Sequence, residues 1–456
     1  AFMDHYDLHP VRNIVSDVKE GQVLAAVLNT TSNRKVIPAG TPFGRYQALN
    51  TTPESKLRHP YRINAVVPVA APEAKKVAPW LQGPTTKDNW EKRAAYISQY
   101  FKLGENSFLK DRDHLTAIIN VLLLNWQVFS FDGSFGETKL LQHEIHTTGG
   151  PPITQKVRPI NPHLEASLKK QVDEWLETGV VTPSCSPWNT ALVAVPKKDG
   201  RTRWCLDFRP LNARTIRDAY PIGSILANLN SLSGSKVFSC LDACGAFHAV
   251  TLHPSSREKT AFSTPFGHFE FVRMPFGLMN GPSTYARMIQ RTLEGLPTSL
   301  VIPYLDDLLV HSPDVPTHIK NLDQVLKAIQ KGGLRLQPHK CHLFSKQAEY
   351  LGHVITPEGI QPLPSHTKVI RDWPVPNTRT QVRAFVGKIS YYRKFIKDFS
   401  SIAQPLLDKL AQSGTEDQPS GDSETFETSP EYIRAFEELK TKLLTAPILA
   451  YPDFNS

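Results

Sequence analysis

The segment LVIPYLDDLLV (Leu300–Val310) places two adjacent carboxylates, Asp306 and Asp307, inside a run that is otherwise almost entirely apolar. Burying an unpaired carboxylate is costly, and two neighbouring carboxylates also repel each other, so cations or polar partners must compensate them. The run predicts a β-hairpin whose turn presents both acids, and their hard oxygen ligands suit Mg²⁺ or Mn²⁺. Taken alone, an Asp-Asp pair at an ordinary turn is the more common interpretation.

A third acid ends another apolar run upstream. The segment VFSCLD (Val237–Asp242) reads as a strand and is followed by a turn that contains Gly. Two-metal phosphoryl transfer needs carboxylates from separate strands around cations roughly 3.5–4 Å apart. We therefore predict that Asp242, Asp306 and Asp307 are the catalytic carboxylates and that they bind two Mg²⁺ ions, with Mn²⁺ as the alternative metal. The competing interpretation of Asp242 is a strand-end residue that caps a turn.

Five motifs occur in the order seen in reverse transcriptases, and they most closely resemble those of gypsy-type long-terminal-repeat retrotransposons. They are RWCLDFRPLN (Arg203–Asn212), LDACGAF (Leu241–Phe247), MPFGLMNGPS (Met274–Ser283), YLDD (Tyr304–Asp307) and YLGH (Tyr350–His353). The resemblance covers residues 143–412. It implies an α+β right-hand polymerase with fingers, palm and thumb, here with a small β-rich N-terminal segment. It also implies reverse transcriptase activity, in which a primer is extended with deoxynucleoside triphosphates.

The resemblance further implies a nucleotide-binding site. Phe247 matches the aromatic steric gate, whose ring leaves no space for a 2′-hydroxyl, although an ordinary core Phe gives the same pattern. Lys197 and Arg203 match the fingers residues that bind the triphosphate, the Arg as a planar fork and the Lys as a point charge. Residues 198–200 between them read as a hairpin tip. Lys198 is an alternative to Lys197, and a solvated loop charge is the alternative for either.

Three further positions complete the predicted chemistry. Phe276 and Gly277 match the segment beneath the nascent base pair, where Gly permits close backbone approach. Many retroviral relatives carry Gln where Phe276 stands, so we expect no polar contact to the nucleotide there, and a plain turn is the alternative for Gly277. Lys340 matches a lysine proposed to protonate the leaving pyrophosphate, which makes it the candidate general acid.

The remaining predicted contacts are to primer and template. The YLGH motif matches the primer grip, a hairpin that directs the primer 3′ end toward the metals. Helical spacing through residues 382–396 gives an apolar and a basic face, which predicts the thumb helix, with a solvated basic face as the alternative. Gly387 costs such a helix about 1 kcal/mol relative to Ala, which indicates close approach to a duplex or to a neighbouring helix. The predicted primer- and template-binding residues are Tyr304, Tyr350, Leu351, Gly352, His353, Gly387, Lys388 and Tyr391.

Composition and turn signals, together with what the resemblance implies for the polymerase and ribonuclease-H-like parts, divide the chain into six segments. They are a β-rich segment at 1–50, linker and helices at 51–140, fingers and palm at 141–360, thumb at 361–412, an acidic linker at 413–430 and the start of a truncated ribonuclease-H-like domain at 431–456. Within the second segment we expect helices near 91–102 and 113–128. Since the chain ends before any of the last domain's acids, we do not expect RNA-strand hydrolysis from it.

Charge and cysteine content agree with this interpretation without proving it. The 456 residues carry 52 Lys and Arg against 43 Asp and Glu, a net charge of +9 that attracts a polyanion. The five cysteines are odd in number and indicate reduced thiols of an intracellular protein. The resemblance implies a cytoplasmic retroelement particle, with the nucleus as the alternative location. Polar residues interrupt Leu115–Phe131, which favours a buried helix over a membrane span.

The expected partners are an RNA or DNA template, a primer strand, deoxynucleoside triphosphates and the protease, ribonuclease H and integrase domains of a parent Pol polyprotein. We expect no membrane partner, and the sequence leaves dimerisation open. A non-catalytic nucleic-acid-binding relic or structural subunit is the main alternative function. An RNA-synthesising polymerase is a third, against which Phe247 argues. Pro303 departs from the usual pattern and predicts an edge strand or a bulge.

Overall fold

The computed structural model describes residues 8–10, 27–29, 92, 95, 100–103, 111–196, 200, 202–221, 223–297, 299–411 and 425–451. The chain forms two units, 1–69 and 70–456. In the first unit, strands β1 (Leu8–Pro10) and β2 (Val27–Asn29) pair antiparallel, in keeping with the predicted β-rich segment. The predicted linker after residue 50 and most of the predicted acidic linker lie outside the described residues.

The second unit mixes helices and strands, as the predicted α+β class requires. Its described elements are, in chain order, β3 (Lys102–Leu103), α1 (Arg112–Leu124), α2 (Pro162–Glu177), β4 (Val181–Pro183), β5 (Leu192–Pro196), β6 (Thr202–Leu206), α3 (Arg209–Arg214), α4 (Ile225–Asn230), β7 (Val237–Asp242), α5 (Pro254–Arg257), β8 (Phe262–Thr264), β9 (Gly267–Phe271), α6 (Gly281–Thr292), β10 (Val301–Tyr304), β11 (Asp307–Ser312), α7 (Val315–Lys331), β12 (His342–Ser345), β13 (Ala348–Tyr350), β14 (His353–Thr356), β15 (Gly359–Pro362), α8 (Pro364–Arg371), α9 (Arg379–Ser390), α10 (Phe399–Ala411) and α11 (Pro430–Leu444).

The helix predicted near 113–128 is confirmed as α1 and a following 3₁₀ turn, Trp126–Val128. Asp111 begins α1, because its carboxylate accepts hydrogen bonds from the backbone N–H groups of Asp113 and His114. The helix predicted over 91–102 is only partly described. It does not reach its expected end, since Lys102 already belongs to β3, which pairs parallel with β12.

The site is built on a sheet with the strand order β10-β11-β7-β12-β3, here called the palm sheet. Both of its faces are buried: Leu308 and Val310 pack into one core with α7, and Leu309 packs into a second core with the C-terminal helices. This explains why the run around the acids is continuously apolar rather than alternating. Each such side chain stabilises the fold by ~1.5–3 kcal/mol. Pro303 lies in β10 at the sheet edge, where no ladder hydrogen bond is lost.

Smaller sheets surround the palm sheet. Strands β5 and β6 form the predicted hairpin, here called the fingers hairpin, and Gly200 at its tip has φ +79°. Strands β13, β14 and β15 form a meander that carries the YLGH motif. Helices α8 to α11 share the second core with this meander, so α11 packs against the same core as the predicted thumb. The assignment of residues 431–456 to a ribonuclease-H-like domain stays a prediction.

The expectation of one thumb helix through residue 396 is wrong. Helix α9 ends at Ser390, and a separate 3₁₀ turn covers Arg393–Phe395. Adjacent side chains on an α-helix diverge by about 100°. Tyr391 and Tyr392 instead both direct their hydroxyls to one turn of the meander, and the chain leaves the helix where these two residues begin.

One buried histidine, His318, joins α7 to the palm sheet, and a second, His311, joins β11 to the loop before β7. The His318 ring is bound on both sides, by Ser239 Oγ at 2.7 Å and Ser312 Oγ at 3.0 Å, and burial lowers its pKa to about 3. His311 contacts Ser235 Oγ at 2.7 Å, and burial lowers its pKa to about 4. Both rings are therefore neutral in the folded protein at neutral pH.

These histidines predict a loss of stability in mild acid. Below pH 6.5 the unfolded chain binds protons that the folded histidines bind only near pH 3–4. The free energy of unfolding should thus fall by up to about 1.4 kcal/mol per pH unit for each histidine as the pH drops below 6.5. Urea unfolding at pH 7 and pH 5 measures the effect. His318→Gln should flatten the dependence and His163→Gln, on the exposed start of α2, should not; equal slopes in both variants would contradict the assignment.

Candidate active site

The three predicted catalytic acids meet at one end of the palm sheet. In the ladder between β7 and β11, Asp242 lies directly opposite Asp307. Tyr304 pairs with Asp307 in the adjoining hairpin, so that Leu305 and Asp306 form its two-residue turn. Leu305 has φ +50°, a left-handed conformation that leucine rarely adopts and that strains the turn presenting Asp306. The hairpin predicted from the sequence is confirmed.

The charges at this end of the sheet are poorly compensated. Burial, and then the neighbouring Asp307 and Asp242, raise the pKa of Asp306. Burial and then Asp242 raise the pKa of Asp307. Asp306 Oδ1 is buried and accepts no hydrogen bond from any described residue. Lys340 Nζ lies 3.4 Å from Asp242 Oδ1, but its side chain is 54% exposed, so solvent weakens this ion pair.

The donor set fits hard divalent cations. Among the described residues, no three His, Cys, Asp or Glu side chains already lie at metal-ligand spacing. Opposed residues of an antiparallel pair are, however, only about 4.5–5.5 Å apart at Cα, so side-chain rotation at Asp242 and Asp307 is enough to bring their carboxylates together. A bound cation would also relieve the mutual repulsion and supply the orphaned oxygen of Asp306 with a partner.

An aromatic floor adjoins the carboxylates. Phe247 lies in a 3₁₀ turn, Ala246–Ala249, just after β7, and its ring stacks on Tyr285 with centroids 5.5 Å apart. Phe276 contacts the same ring at 4.9 Å and is itself 56% exposed. A Cβ at Gly281 would lie 3.1 Å from the Phe247 ring, so glycine at this position lets α6 approach it. Burial, and then the charges of Asp306, Asp242 and Asp307, raise the pKa of Tyr285, so the ring that backs the half-buried Phe247 lies near the acids.

The comparisons with known proteins bear on this arrangement. Residues 195–355 match a family model described as reverse transcriptase (RNA-dependent DNA polymerase). This span contains all three acids, the aromatic floor and the YLGH motif. The chain carries a reverse transcriptase domain.

Its relatives include retrovirus-related Pol polyproteins of Drosophila melanogaster. The chain is 36% identical to that of transposon 297 over 323 residues, which are 70% of this chain and 30% of the relative. It is 37% identical to that of transposon opus, over 68% of this chain and 32% of the relative. For transposon gypsy the identity is 33%, over 68% and 31%. The resemblance to gypsy-type elements is confirmed, and the chain spans about a third of the length of these relatives.

Solved structures share the fold. A foamy viral protease-reverse transcriptase in complex with RNA/DNA hybrid superposes with a TM-score of 0.67 at 23% identity, covering 82% of this chain and 49% of that one. A variant of the foamy viral protein labelled dRH, in complex with double-stranded DNA, gives a TM-score of 0.69 over 80% and 62%. The right-hand polymerase fold predicted for the reverse transcriptase domain is therefore confirmed.

The fingers positions are described in part. Arg203 lies exposed on β6 of the fingers hairpin, opposite Val195. Lys197 and Lys198 lie outside the described residues, so their predicted contact with the triphosphate stays a prediction. Next to the hairpin, Asp207 accepts two hydrogen bonds of 2.7 Å from the Arg209 guanidinium.

The YLGH motif forms a turn that we call the grip turn, residues 350–353. Tyr350 and His353 pair across it, and both are buried, with Tyr350 donating a hydrogen bond to Ile302 O on the palm sheet. Leu351 and Gly352 form the half-buried tip and have φ +49° and +68°. Of the four residues of this motif, only Leu351 and Gly352 are not buried, and the predicted contact of the motif with a primer stays a prediction.

The predicted template-binding residues of the thumb lie on and after α9. Gly387 is exposed, and a Cβ at this position would meet no described atom within 4 Å. Close approach to a neighbouring helix, one of the two explanations for this glycine, is therefore not supported. Lys388 is half-buried and Tyr391 is 41% exposed. Tyr304, also predicted to contact nucleic acid, is half-buried in β10.

Two residues of the site were missed by sequence reasoning. Asn212 donates to Gly277 O at 2.8 Å and accepts from Met279 N at 2.9 Å, so it fixes the segment beneath the predicted nucleotide. Tyr285 is fully buried under Phe247, and its hydroxyl has no hydrogen-bond partner among the described residues. Asn212 stands inside a motif quoted above, which was a usable signal. Tyr285 gave none, because a helical tyrosine four residues after Gly281 reads as ordinary core.

No helix in the described part of the chain is long and apolar enough to cross a membrane. The five cysteines all fall within the described residues and none is in a disulfide. Burial raises the pKa of Cys240 and of Cys341 to about 12, so both remain protonated thiols at neutral pH.

Proposed function

We propose that this chain is an RNA-directed DNA polymerase, a nucleotidyltransferase that joins a primer 3′-hydroxyl to the α-phosphate of a deoxynucleoside triphosphate. The observation that carries the proposal is the strand register that sets Asp242 opposite Asp307, with Asp306 in the adjoining turn. Three carboxylates crowded at the end of two buried strands destabilise the fold unless cations compensate their charge. Such a cluster therefore indicates a functional site.

Asp242 and Asp306 are the residues that would hold the metal ions, with Asp307 beside them, and we propose Mg²⁺, with Mn²⁺ as a substitute. Bound in this way, divalent cations supply charge neutralisation at the attacking and leaving oxygens. The orphaned Oδ1 of Asp306 and the raised pKa of Asp306 and of Asp307 support this assignment, since burial and neighbouring carboxylates leave negative charge poorly compensated here.

The protein's own side chains position the substrates in this proposal. The Phe247 ring, backed by Tyr285, excludes a ribose 2′-hydroxyl. Phe276 and Gly277 lie beneath the incoming base pair, held by Asn212. Positioning of this kind contributes to the rate by converting an encounter into a reaction between aligned groups.

The charged residues act on the triphosphate. Arg203 binds its phosphates from β6, and Lys197 is the proposed second phosphate-binding residue. Lys340 is the proposed proton donor to the departing pyrophosphate, and its place 3.4 Å from Asp242 brings an ammonium group to the edge of the site. Its predominantly exposed side chain has the freedom that such a transfer requires.

The proposed partners are a primer and an RNA or DNA template. The foamy viral relatives are described in complex with RNA/DNA hybrid and with double-stranded DNA, which supports a duplex as the bound form. Since the relatives of this chain are Pol polyproteins, we also propose protease, ribonuclease H and integrase domains as partners in a parent polyprotein. The proposed location is the cytoplasmic retroelement particle, with entry into the nucleus as the alternative.

Primer extension by the purified chain tests the proposed function. With an RNA template, a DNA primer and Mg²⁺ or Mn²⁺, we expect stepwise products with deoxynucleotides and few with ribonucleotides. Duplex binding measured in parallel separates the proposal from its alternative. A chain that binds primer–template tightly but adds no nucleotide with either metal would instead be the non-catalytic relic.

Gly387→Ala should change stability and duplex binding in opposite directions. The new methyl group meets no neighbour and favours the helix, so the free energy of unfolding should rise by about 1 kcal/mol. If α9 lies against the duplex, the methyl group should weaken primer–template binding several-fold. Ala384→Gly, at an exposed position on the same face of the helix, is the control: it removes a methyl group, so it should lower stability without weakening binding. Unchanged binding by Gly387→Ala would exclude close approach at this residue.

A further inference from the structure

The grip turn is fastened by side chains that come from outside its own meander. Its tip has two consecutive left-handed residues, of which Leu351 is not glycine and therefore strains the backbone by ~1–2 kcal/mol. Backbone carbonyls at such a tip usually face solvent. Here both are bound by tyrosine hydroxyls: Tyr391 donates to Leu351 O at 2.7 Å, and Tyr392 donates to Gly352 O at 2.8 Å.

Tyr392 has a second hydrogen bond behind the turn. Since its proton goes to the Gly352 carbonyl, its hydroxyl oxygen accepts from His366 Nδ1, which lies 2.7 Å away on α8. The Tyr392 ring is fully buried, and burial raises the pKa of its hydroxyl, so it remains a donor at any working pH. A Cβ at Gly352 would lie 3.1 Å from this hydroxyl, and glycine therefore permits the close contact.

Two further bonds hold the tip. The backbone N–H of Leu363, directly after β15, donates to Gly352 O at 3.0 Å. His353 donates from Nδ1 to Leu351 O at 2.7 Å, and its buried ring packs 5.5 Å from both Tyr391 and Tyr392. The tip is thus enclosed by two tyrosines that follow α9, one histidine from α8 and one from β14.

Resting on the proposed function, we propose that Tyr392 is a positioning residue that, with His366, ties the grip turn to the thumb helices. The grip turn and the thumb helices then move together, as one rigid unit, when the bound primer moves. A primer terminus held by the grip turn cannot leave without either moving the thumb or breaking these bonds. The bonds should consequently slow the dissociation of primer–template and lengthen the products made in one binding event. They touch no reacting atom, so the rate of a single nucleotide addition should stay the same.

Tyr392→Phe tests this, because it removes both hydrogen bonds and keeps the ring. We expect labelled primer–template to dissociate about 5- to 10-fold faster when challenged with unlabelled duplex. Products under a trap that prevents rebinding should be shorter, and single-nucleotide addition by the preformed complex should stay within about twofold of wild type. Adding His366→Ala to Tyr392→Phe should bring little further change, because both substitutions break the same chain of bonds.

Tyr432→Phe is the matched control. Tyr432 is also fully buried in the second core, and its hydroxyl donates to a backbone carbonyl, that of Pro376 at 2.8 Å, but it does not touch the grip turn. It should lower thermal stability about as much as Tyr392→Phe and leave duplex dissociation unchanged. Equal dissociation rates in both variants, or a wild-type rate in Tyr392→Phe, would overturn the proposal.

The dissociation assay needs no nucleotide, so it separates this inference from the proposed function. A wild-type chain that holds the duplex but does not extend it would refute the polymerase activity while leaving the fastening of the grip turn to be judged on dissociation rates. A wild-type chain that does not bind the duplex at all would overturn both.

Discussion

Asp306→Asn should lower the rate of primer extension by about 10³-fold or more, equivalent to about 4 kcal/mol of lost transition-state stabilisation, and should at the same time stabilise the folded protein. The first effect follows if the carboxylate holds a metal ion, since an amide carries no negative charge. The second follows from the site itself. The pKa of Asp306 is raised by burial and by Asp307 and Asp242, so at neutral pH its charge opposes folding.

Single-turnover extension and urea unfolding measure the two effects on one preparation. Asp173→Asn is the control: this carboxylate is exposed on α2 and paired with Lys169 at 3.0 Å, so its loss should change neither quantity appreciably. Binding of primer–template should survive Asp306→Asn. Extension at the wild-type rate by this variant would remove Asp306 from the mechanism, and a large loss of stability would show that its role is structural.

Phe247→Ala should relax sugar discrimination by about 10²-fold, the scale on which a shaped pocket excludes one added hydroxyl. The ring stacks on Tyr285 and touches Phe276, so its removal opens space next to the acids rather than a sealed cavity. The quantity to measure is the ratio of kcat/KM for a deoxynucleotide to that for its ribonucleotide. We expect the change to come mainly from faster use of the ribonucleotide.

Phe247→Tyr keeps the ring and should keep the discrimination, which makes it the matched control. Because removing a large side chain also weakens packing, the thermal stability of both variants should be recorded. An unchanged ratio in a folded Phe247→Ala protein would reject the steric gate and return Phe247 to the role of a core residue.

The parts of the fold that could be predicted from the sequence depend on short stretches of chain. The hairpin at 300–310 follows from an apolar run interrupted by two charges, and the fingers hairpin follows from a Gly at its tip. The meeting of Asp242 with Asp307 joins two such local patterns. It could be predicted because both acids stand at strand ends and because the motifs resemble those of reverse transcriptases.

The features that were missed depend on contacts between distant parts of the chain. Helix α9 was expected to continue through residue 396. Tyr391 and Tyr392 instead donate hydrogen bonds to carbonyls 40 residues earlier in the chain, which no local sequence pattern predicts. Asn212 holds Gly277 from 65 positions away. The sequence also did not distinguish buried side chains from exposed ones. Tyr350 and His353 belong to the grip turn, yet both side chains are buried beneath its tip.

The central claim is that Asp242, Asp306 and Asp307 hold divalent ions beside the primer terminus. Its most direct test is anomalous diffraction from crystals of the chain with Mn²⁺, a deoxynucleoside triphosphate and a template annealed to a primer lacking its 3′-hydroxyl. We predict Mn²⁺ peaks within ~2.0–2.3 Å of carboxylate oxygens of Asp242 and Asp306. A bound nucleotide whose metal ions contact neither residue would contradict the account.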